Sequence, residues 1–147
     1  MYLYNRLIEI YALGQIILEK KMEKNIFGYI IYDSVIFEIS SKNLFQYRAE
    51  TSEQPFYFRS ITLNETQCRL LAYLLEKSKC SIIDKNEVMM KVWDEIGQSS
   101  SNQRLWQSMN DLRKKLSFFE LPSSFITNVH GVGYALESNR ISVLYMS

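Results

Sequence analysis

Cysteine, histidine, proline and glycine are all scarce in this chain of 147 residues. It contains two cysteines, one histidine, two prolines and five glycines. A zinc site with four Cys or His ligands needs more of these residues, and a small disulfide-bonded scaffold needs more cysteines. The few glycines and prolines exclude a collagen-like repeat, and an apolar content of 47% excludes a disordered chain.

Long apolar runs are missing as well. The most apolar N-terminal stretch, Ile10–Leu18, lies between Glu9 and Glu19 and is far shorter than the roughly 20 residues of a transmembrane helix. The unpaired thiols of Cys68 and Cys80 fit a reducing compartment, so we expect a cytoplasmic protein.

The chain also lacks an excess of charge and a catalytic constellation. Seventeen Lys and Arg against sixteen Asp and Glu give a formal net charge of +1. A nucleic-acid-binding protein typically has a clear basic excess, so the total charge gives no sign of one. With one histidine, no Gly-rich phosphate loop and no nucleophile beside the histidine, we expect no enzyme, cofactor, metal or small-molecule ligand.

Residues 1–25 are predicted to form an apolar helix. Leu3, Leu7, Ile10 and Gly14 recur at helical spacing, and Tyr11 extends the apolar surface beyond one stripe. Such a helix needs a partner surface, so we expect it either to dimerise or to cover the sheet that follows.

Residues 26–140 then form the main domain, followed by an expected tail over 141–147. Residues 28–60 contain β-branched and aromatic runs separated by polar turns, which predict three or four antiparallel strands. Asn64 with Gln67, and Asp84 with Glu87, predict the starts of two helices, the second with Ile96 on its buried side. A third helix to about Phe118 and a hairpin over 123–136 follow.

This order predicts an α+β fold, a winged helix-turn-helix with an N-terminal antiparallel sheet, three helices, a C-terminal β-hairpin wing and an extra N-terminal helix. In that fold the third helix enters the DNA major groove and the wing reaches the adjacent minor groove.

The third helix has two contrasting faces. We expect its apolar side chains to face the core: Leu105, Met109, Leu112 and Leu116. The opposite face is polar and its flanks are basic, comprising Gln103, Gln107, Asn110, Asp111 and Lys114 with Arg104, Arg113 and Lys115 beside them. Amide side chains pair with adenine edges, and Arg and Lys hold phosphates.

An ordinary solvated helix face would show the same residue types, and Asp111 favours that alternative because phosphates repel a carboxylate. The local charge favours DNA: residues 101–118 hold four cations and one anion, whereas residues 62–137 hold nine of each.

Four segments resemble the OmpR/PhoB-type winged-helix domain of bacterial transcription regulators, in its ToxR/CadC-like branch. They are Cys68–Glu76 (CRLLAYLLE), Ile83–Glu87 (IDKNE) with Val92-Trp93 after it, Asn102–Leu116 (NQRLWQSMNDLRKKL) and Thr127–Tyr134 (TNVHGVGY). The resemblance covers about residues 28–136.

The resemblance implies a DNA-binding regulator, often a dimer on repeated sites, that contacts RNA polymerase through the loop from Gly97 to Asn102. Base-contacting positions of the family match Gln103, Gln107 and Asp111. Positions near phosphates match Arg104, Ser108, Asn110 and Arg113. Trp93 has a phosphate-side role by resemblance, although its helical spacing first predicts a core residue.

The wing departs from the family pattern. His130 stands where the family usually has Arg or Lys, and Ala135 where another basic residue is common. Minor-groove insertion depends on a permanent cation, so we expect weak DNA binding by a monomer. A winged helix used as a protein–protein interaction module, with weak or no DNA binding, is the alternative function.

The resemblance raises the question of two further regions, a receiver domain before the winged helix and a transmembrane helix after it. We expect neither in this sequence. Only 27 residues precede Gly28, too few for a receiver domain. The last residues contain no transmembrane helix, so the chain is either a soluble regulator or the cytoplasmic part of a membrane-anchored one.

Overall fold

The computed structural model describes residues 2–23, 25–48 and 57–146, which form an α+β fold. The helices in these ranges are α1 (Tyr2–Glu23), α2 (Glu65–Glu76), α3 (Lys85–Val92) and α4 (Asn102–Ser117). The strands are β1 (Ile26–Ile31), β2 (Val35–Glu38), β3 (Asn43–Arg48), β4 (Tyr57–Thr62), β5 (Ile83–Asp84), β6 (Ile126–Val129), β7 (Gly133–Leu136) and β8 (Ile141–Tyr145). The predicted winged-helix order is confirmed.

The first sheet has five antiparallel strands in the order β4-β3-β2-β1-β8. Four of them come from the segment that the sequence predicts as strands. The fifth corrects the expectation of a tail over 141–147, because β8 pairs with β1, with Ile141 opposite Ile31 and Val143 opposite Tyr29. The chain therefore returns to its N-terminal sheet after the wing.

One face of this sheet packs against the helices. Residues alternate sides along a strand, so Val35 and Phe37 are buried while Ile36 and Glu38 are only partly covered. The buried strand residues join the apolar faces of α2, α3 and α4 in one core. The hydroxyl of buried Tyr29 also lies in this layer, and burial raises its pKa to about 12.

The predicted caps fix where α2 and α3 begin. The Asn64 side chain accepts a hydrogen bond from the Gln67 amide at 2.8 Å, and the Gln67 side chain accepts one from the Asn64 amide at 3.0 Å. The Asp84 side chain likewise accepts hydrogen bonds from the Asn86 and Glu87 amides in the first turn of α3. Ile96 is the exception: it lies in a 3-10 turn after α3 and is exposed, so the prediction of a buried side chain there is wrong.

The wing belongs to a second, three-stranded sheet in the order β5-β7-β6. Its two glycines, Gly131 and Gly133, are required for different reasons. Gly131 in the turn has φ +72°, which L side chains rarely adopt. Gly133 pairs with Asp84, and a Cβ at Gly133 would lie 1.9 Å from the carbonyl oxygen of Ile83. These two requirements account for the Gly-x-Gly spacing.

The N-terminal helix α1 does not cover the sheet along its described side chains. From residue 3 to residue 16 all of them are exposed except that of Gly14, which is intermediate. The large apolar side chains among them are 48–77% exposed. The expectation that α1 covers the sheet is therefore wrong for this stretch, and its apolar surface has no partner within the described chain.

Candidate nucleic-acid interface

The helix α4 has the two faces that its sequence predicts. Four of its apolar side chains form the predicted buried stripe: Leu105, Met109, Leu112 and Leu116. The predicted base-contacting and phosphate-contacting side chains are exposed or half-buried on the remaining surface: Gln103, Arg104, Gln107, Ser108, Asn110, Asp111, Arg113 and Lys114. The helix begins at a cap in which the Ser101 hydroxyl accepts a hydrogen bond from the Arg104 amide at 3.1 Å.

Gln107 and Asp111 form a pair on the exposed face. The Gln107 side-chain amide donates a hydrogen bond to the Asp111 carboxylate at 3.1 Å, as residues four apart on a helix can. This bond leaves the Gln107 carbonyl oxygen to accept from a base. It also gives the carboxylate, which phosphates would repel, a donor within the protein.

Arg104 fixes the loop that precedes α4. Its guanidinium donates a hydrogen bond to the Ser99 carbonyl at 2.6 Å and lies 5.7 Å from the centre of the Trp93 ring. The Trp93 side chain is fully buried, which confirms the prediction of a core residue, and its indole nitrogen has no hydrogen-bond partner in the described residues. Arg104 thus positions the loop as well as presenting a cation at the start of α4.

Arg113 connects α4 with the wing. Its guanidinium donates a hydrogen bond to the Asn128 side-chain oxygen on β6 at 2.6 Å. On β7, burial raises the pKa of Tyr134, while the positive charge of Arg113 acts to lower it. The helix and the wing are therefore joined at this point by a side chain that also faces solvent.

Not every cation of α4 belongs to the exposed face. The Lys115 ammonium donates hydrogen bonds to the Thr62 carbonyl at 3.0 Å and to the Gln67 side chain at 2.6 Å, so it ties α4 to α2. Lys115 is thus a structural residue, and the basic charge available on the face comes from three side chains. Lys114 is exposed, and its ammonium forms neither a hydrogen bond nor an ion pair with any described residue.

His130 lies exposed at the turn of the wing. It lines a shallow depression of about 190 Å³ together with Lys85, the first residue of α3. Lys85 reaches this place because its backbone amide donates to the Val132 carbonyl at 3.0 Å. The wing therefore has a cation, Lys85, close to His130, the position where the family usually has Arg or Lys. The pairing of β5 with β7 brings Lys85 there.

Sequence reasoning missed three residues of this surface. Lys85 and Asn128 approach it only through the pairing of distant segments, for which the local pattern contains no signal. The exposure of Trp106 could have been predicted, because helical spacing places it outside the apolar stripe that faces the core. Its side chain is 61% exposed and lines a depression of about 430 Å³ beside Gln107 and Arg113.

Comparison with known proteins agrees with this geometry. Residues 59–136, more than half of the chain, match the model of the family described as "Transcriptional regulatory protein, C terminal", which is the OmpR/PhoB-type DNA-binding domain. The chain belongs to this family. The match runs from β4 to the end of β7, so this OmpR/PhoB-type domain includes α4 and the wing.

Solved structures show the same fold. The DNA-binding domain of E. coli CadC has a TM-score of 0.60 at 20% identity and covers 83% of this chain and 99% of its own. The DNA-binding domain of the response regulator AdeR, solved in complex with an intercistronic region, has a TM-score of 0.54 at 16% identity and covers 72% and 96%. No curated protein matches the sequence.

This family is a class of DNA-binding regulator domains and not a class of enzymes. Across residues 2–23, 25–48 and 57–146, no group of three His, Cys, Asp or Glu side chains is placed to hold a metal ion. The same residues contain no helix with the length and apolar character required to cross a membrane.

Proposed function

We propose that this chain is a sequence-specific DNA-binding transcription regulator. In this proposal α4 lies in the major groove and the wing lies at the adjacent minor groove. The observation that carries it is the polar, partly basic face of α4 beside the wing, to which the Arg113–Asn128 hydrogen bond joins it. Contact with two neighbouring grooves requires the helix and the wing to lie side by side.

The residues on the face divide by chemistry into two roles. We assign base contacts to Gln103, Gln107 and Asp111, whose amide and carboxylate groups match base edges. We assign phosphate contacts to the side chains that flank them: Arg104, Ser108, Asn110, Arg113 and Lys114. At the wing we assign a minor-groove contact to His130, with Lys85 supplying the nearby permanent charge.

The proposal includes a homodimer formed through α1. The described apolar side chains of α1 are exposed, and a monomer would leave them in water. A single domain with a net charge of +1 and three available cations on its face gains little from phosphates, so a second copy would supply affinity. We also propose a cytoplasmic location and contact with RNA polymerase through residues 97–102, the loop that Arg104 holds.

A protein–protein interaction module is the second candidate function. The carboxylate of Asp111 on the exposed face, the absence of a cation at residue 130 and the exposed apolar surface of α1 favour it. In this case the winged helix would bind a protein partner, and DNA binding would be weak or absent.

A mobility-shift titration separates the two functions. The full chain is mixed with the duplex upstream of its own gene and with an unrelated duplex, at salt concentrations from about 50 to 200 mM. The regulator predicts a specific shift whose affinity falls steeply with salt, because phosphate binding releases counterions. Affinity for a protein partner without any DNA shift would support the interaction module instead.

A further inference from the structure

Trp106 is the large aromatic side chain that α4 leaves in water. It is 61% exposed, whereas the apolar side chains of the buried stripe of α4 lie in the core. An indole has a large apolar body and one N–H donor, so it gains most where an apolar surface and a polar acceptor occur together. Neither the base-contacting nor the phosphate-contacting assignment uses it.

The neighbours of Trp106 define what it faces. Asn110 and Arg113 follow at four and seven residues, so the three side chains form one row along α4. This row lies in the depression of about 430 Å³, whose walls are Trp106, Gln107, Asn110, Arg113, Lys114 and Ser117. The depression thus combines one aromatic wall with two cations.

The same row lies on the side of α4 that faces the wing, since Arg113 bonds to Asn128 on β6. When a helix lies in the major groove and a wing at the neighbouring minor groove, one DNA strand separates the two grooves. The backbone of that DNA strand must pass between the helix and the wing. That strand presents deoxyribose and phosphate, whereas the base edges lie deeper in the groove.

We infer that Trp106 packs its indole against a deoxyribose of that strand and directs its N–H to an adjacent phosphate, which Arg113 and Lys114 also hold. This inference rests on the proposed DNA binding. The contact is uncharged on the protein side and independent of sequence, because it involves only sugar and phosphate. Because the indole carries no charge, the contact displaces no counterions.

The salt dependence tests this contact. The dissociation constant is measured for the full chain and for Trp106→Ala, Trp106→Phe and Lys114→Ala, on a specific and a non-specific duplex across salt. We expect Trp106→Ala to weaken binding about fivefold on both duplexes with an unchanged salt slope, because it removes an apolar contact and one hydrogen bond from an uncharged donor. Trp106→Phe keeps most of the affinity, and Lys114→Ala reduces the slope by about one.

Phe58→Ala is the matched control, because it removes an exposed aromatic ring from β4 in the N-terminal sheet. We expect it to leave the dissociation constant unchanged. We also expect Trp106→Ala to unfold at the same temperature as the full chain, since an exposed side chain contributes little to the core.

Acrylamide quenching reports the contact directly. The indole of Trp93 is fully buried, so with excitation selective for tryptophan the quenchable fluorescence belongs to Trp106. Saturation with the specific duplex should protect that fluorescence from acrylamide, and the unbound Trp106→Phe chain should show little quenching.

The outcomes distinguish the inference from the function on which it rests. If the full chain binds no duplex, the proposed function fails. If the full chain binds but Trp106→Ala matches the Phe58→Ala control, the inference is overturned while the function stands. A loss confined to the specific duplex, a changed salt slope, or a defect only in protein-partner binding would also overturn it, because each indicates a different contact.

Discussion

Arg113 shows how one side chain can serve both fold and interface. It bonds to Asn128 across 15 residues of sequence and remains half-buried at the surface. Gln107 and Asp111 are paired in the same way within α4, and Arg104 is bonded to the loop before it. The polar groups of the face are thus partly ordered before any ligand binds, which lowers the entropy cost of binding.

Removing the Arg113 side chain should weaken DNA binding evenly over sequences. Arg113→Ala removes the proposed phosphate contact, so we expect the salt slope to fall by about one without a change in base preference. Asn128→Ala is the matched variant, since it frees the guanidinium but keeps its charge. We expect it to lower affinity less and to keep the salt slope. If Arg113→Ala discriminated between sites, the phosphate assignment would be wrong.

Gln107→Ala should relax base preference and leave the fold intact. A bidentate amide–base contact contributes about 1–3 kcal/mol, and Gln107 is exposed, so its loss affects recognition and not the core. The measurement is the set of dissociation constants for a series of duplexes with single base changes. Unchanged preference at every position would remove Gln107 from the base-contacting set.

For the side chains of α4, the sequence predicts burial but not the hydrogen-bond partners. The burial of Leu105 and Met109 and the exposure of Gln107 follow from helical spacing, which is a local property. The partners of Arg113 and Lys115 do not, because Asn128 and Gln67 approach α4 only through tertiary packing.

At the scale of elements, the wing depends on its pairing with β5. The caps of α2 and α3 were predicted correctly because each is a bond between residues two or three apart. The strands β5 and β8 were not predicted, because their pairing with β7 and β1 joins segments about 50 and 110 residues apart, a separation that leaves no periodic pattern.

The two wing glycines should respond differently to alanine. In Gly133→Ala the Cβ would meet the backbone of Ile83, which cannot move without breaking the β5–β7 pair, so we expect a loss of about 3 kcal/mol or more. Gly131→Ala has open space around its Cβ and carries only the cost of a positive φ, about 1–2 kcal/mol. Urea unfolding of both variants measures this. Equal losses would contradict the close approach at Gly133.

At the scale of the whole molecule, stability should fall at high pH through Tyr29. Burial raises its pKa to about 12, above the value near 10 of an unfolded chain. The neutral hydroxyl is therefore favoured in the fold: its contribution is complete below pH 10 and is lost between about pH 10 and 12. Tyr29→Phe should flatten the decline of unfolding free energy over this range. A decline as steep as in the unmodified chain would exclude Tyr29 as its cause.

Assembly is the second property of the whole molecule. We expect the full chain to be a dimer by light scattering and a chain beginning at Met22 to be a monomer, because the exposed apolar side chains of α1 precede that residue. Leu7→Lys should dissociate the dimer, and Asn5→Lys, which replaces an exposed side chain that is already polar, should not. A dimer that persists without α1 would place the interface elsewhere.

We propose that α4 and the wing recognise a DNA sequence. Selection from a pool of random duplexes is the most direct test of this recognition. Repeated rounds of binding to the full chain, followed by sequencing of the retained duplexes, should enrich one motif, present as two copies if the chain binds as a dimer. Retained duplexes with the base composition of the starting pool would contradict sequence-specific recognition.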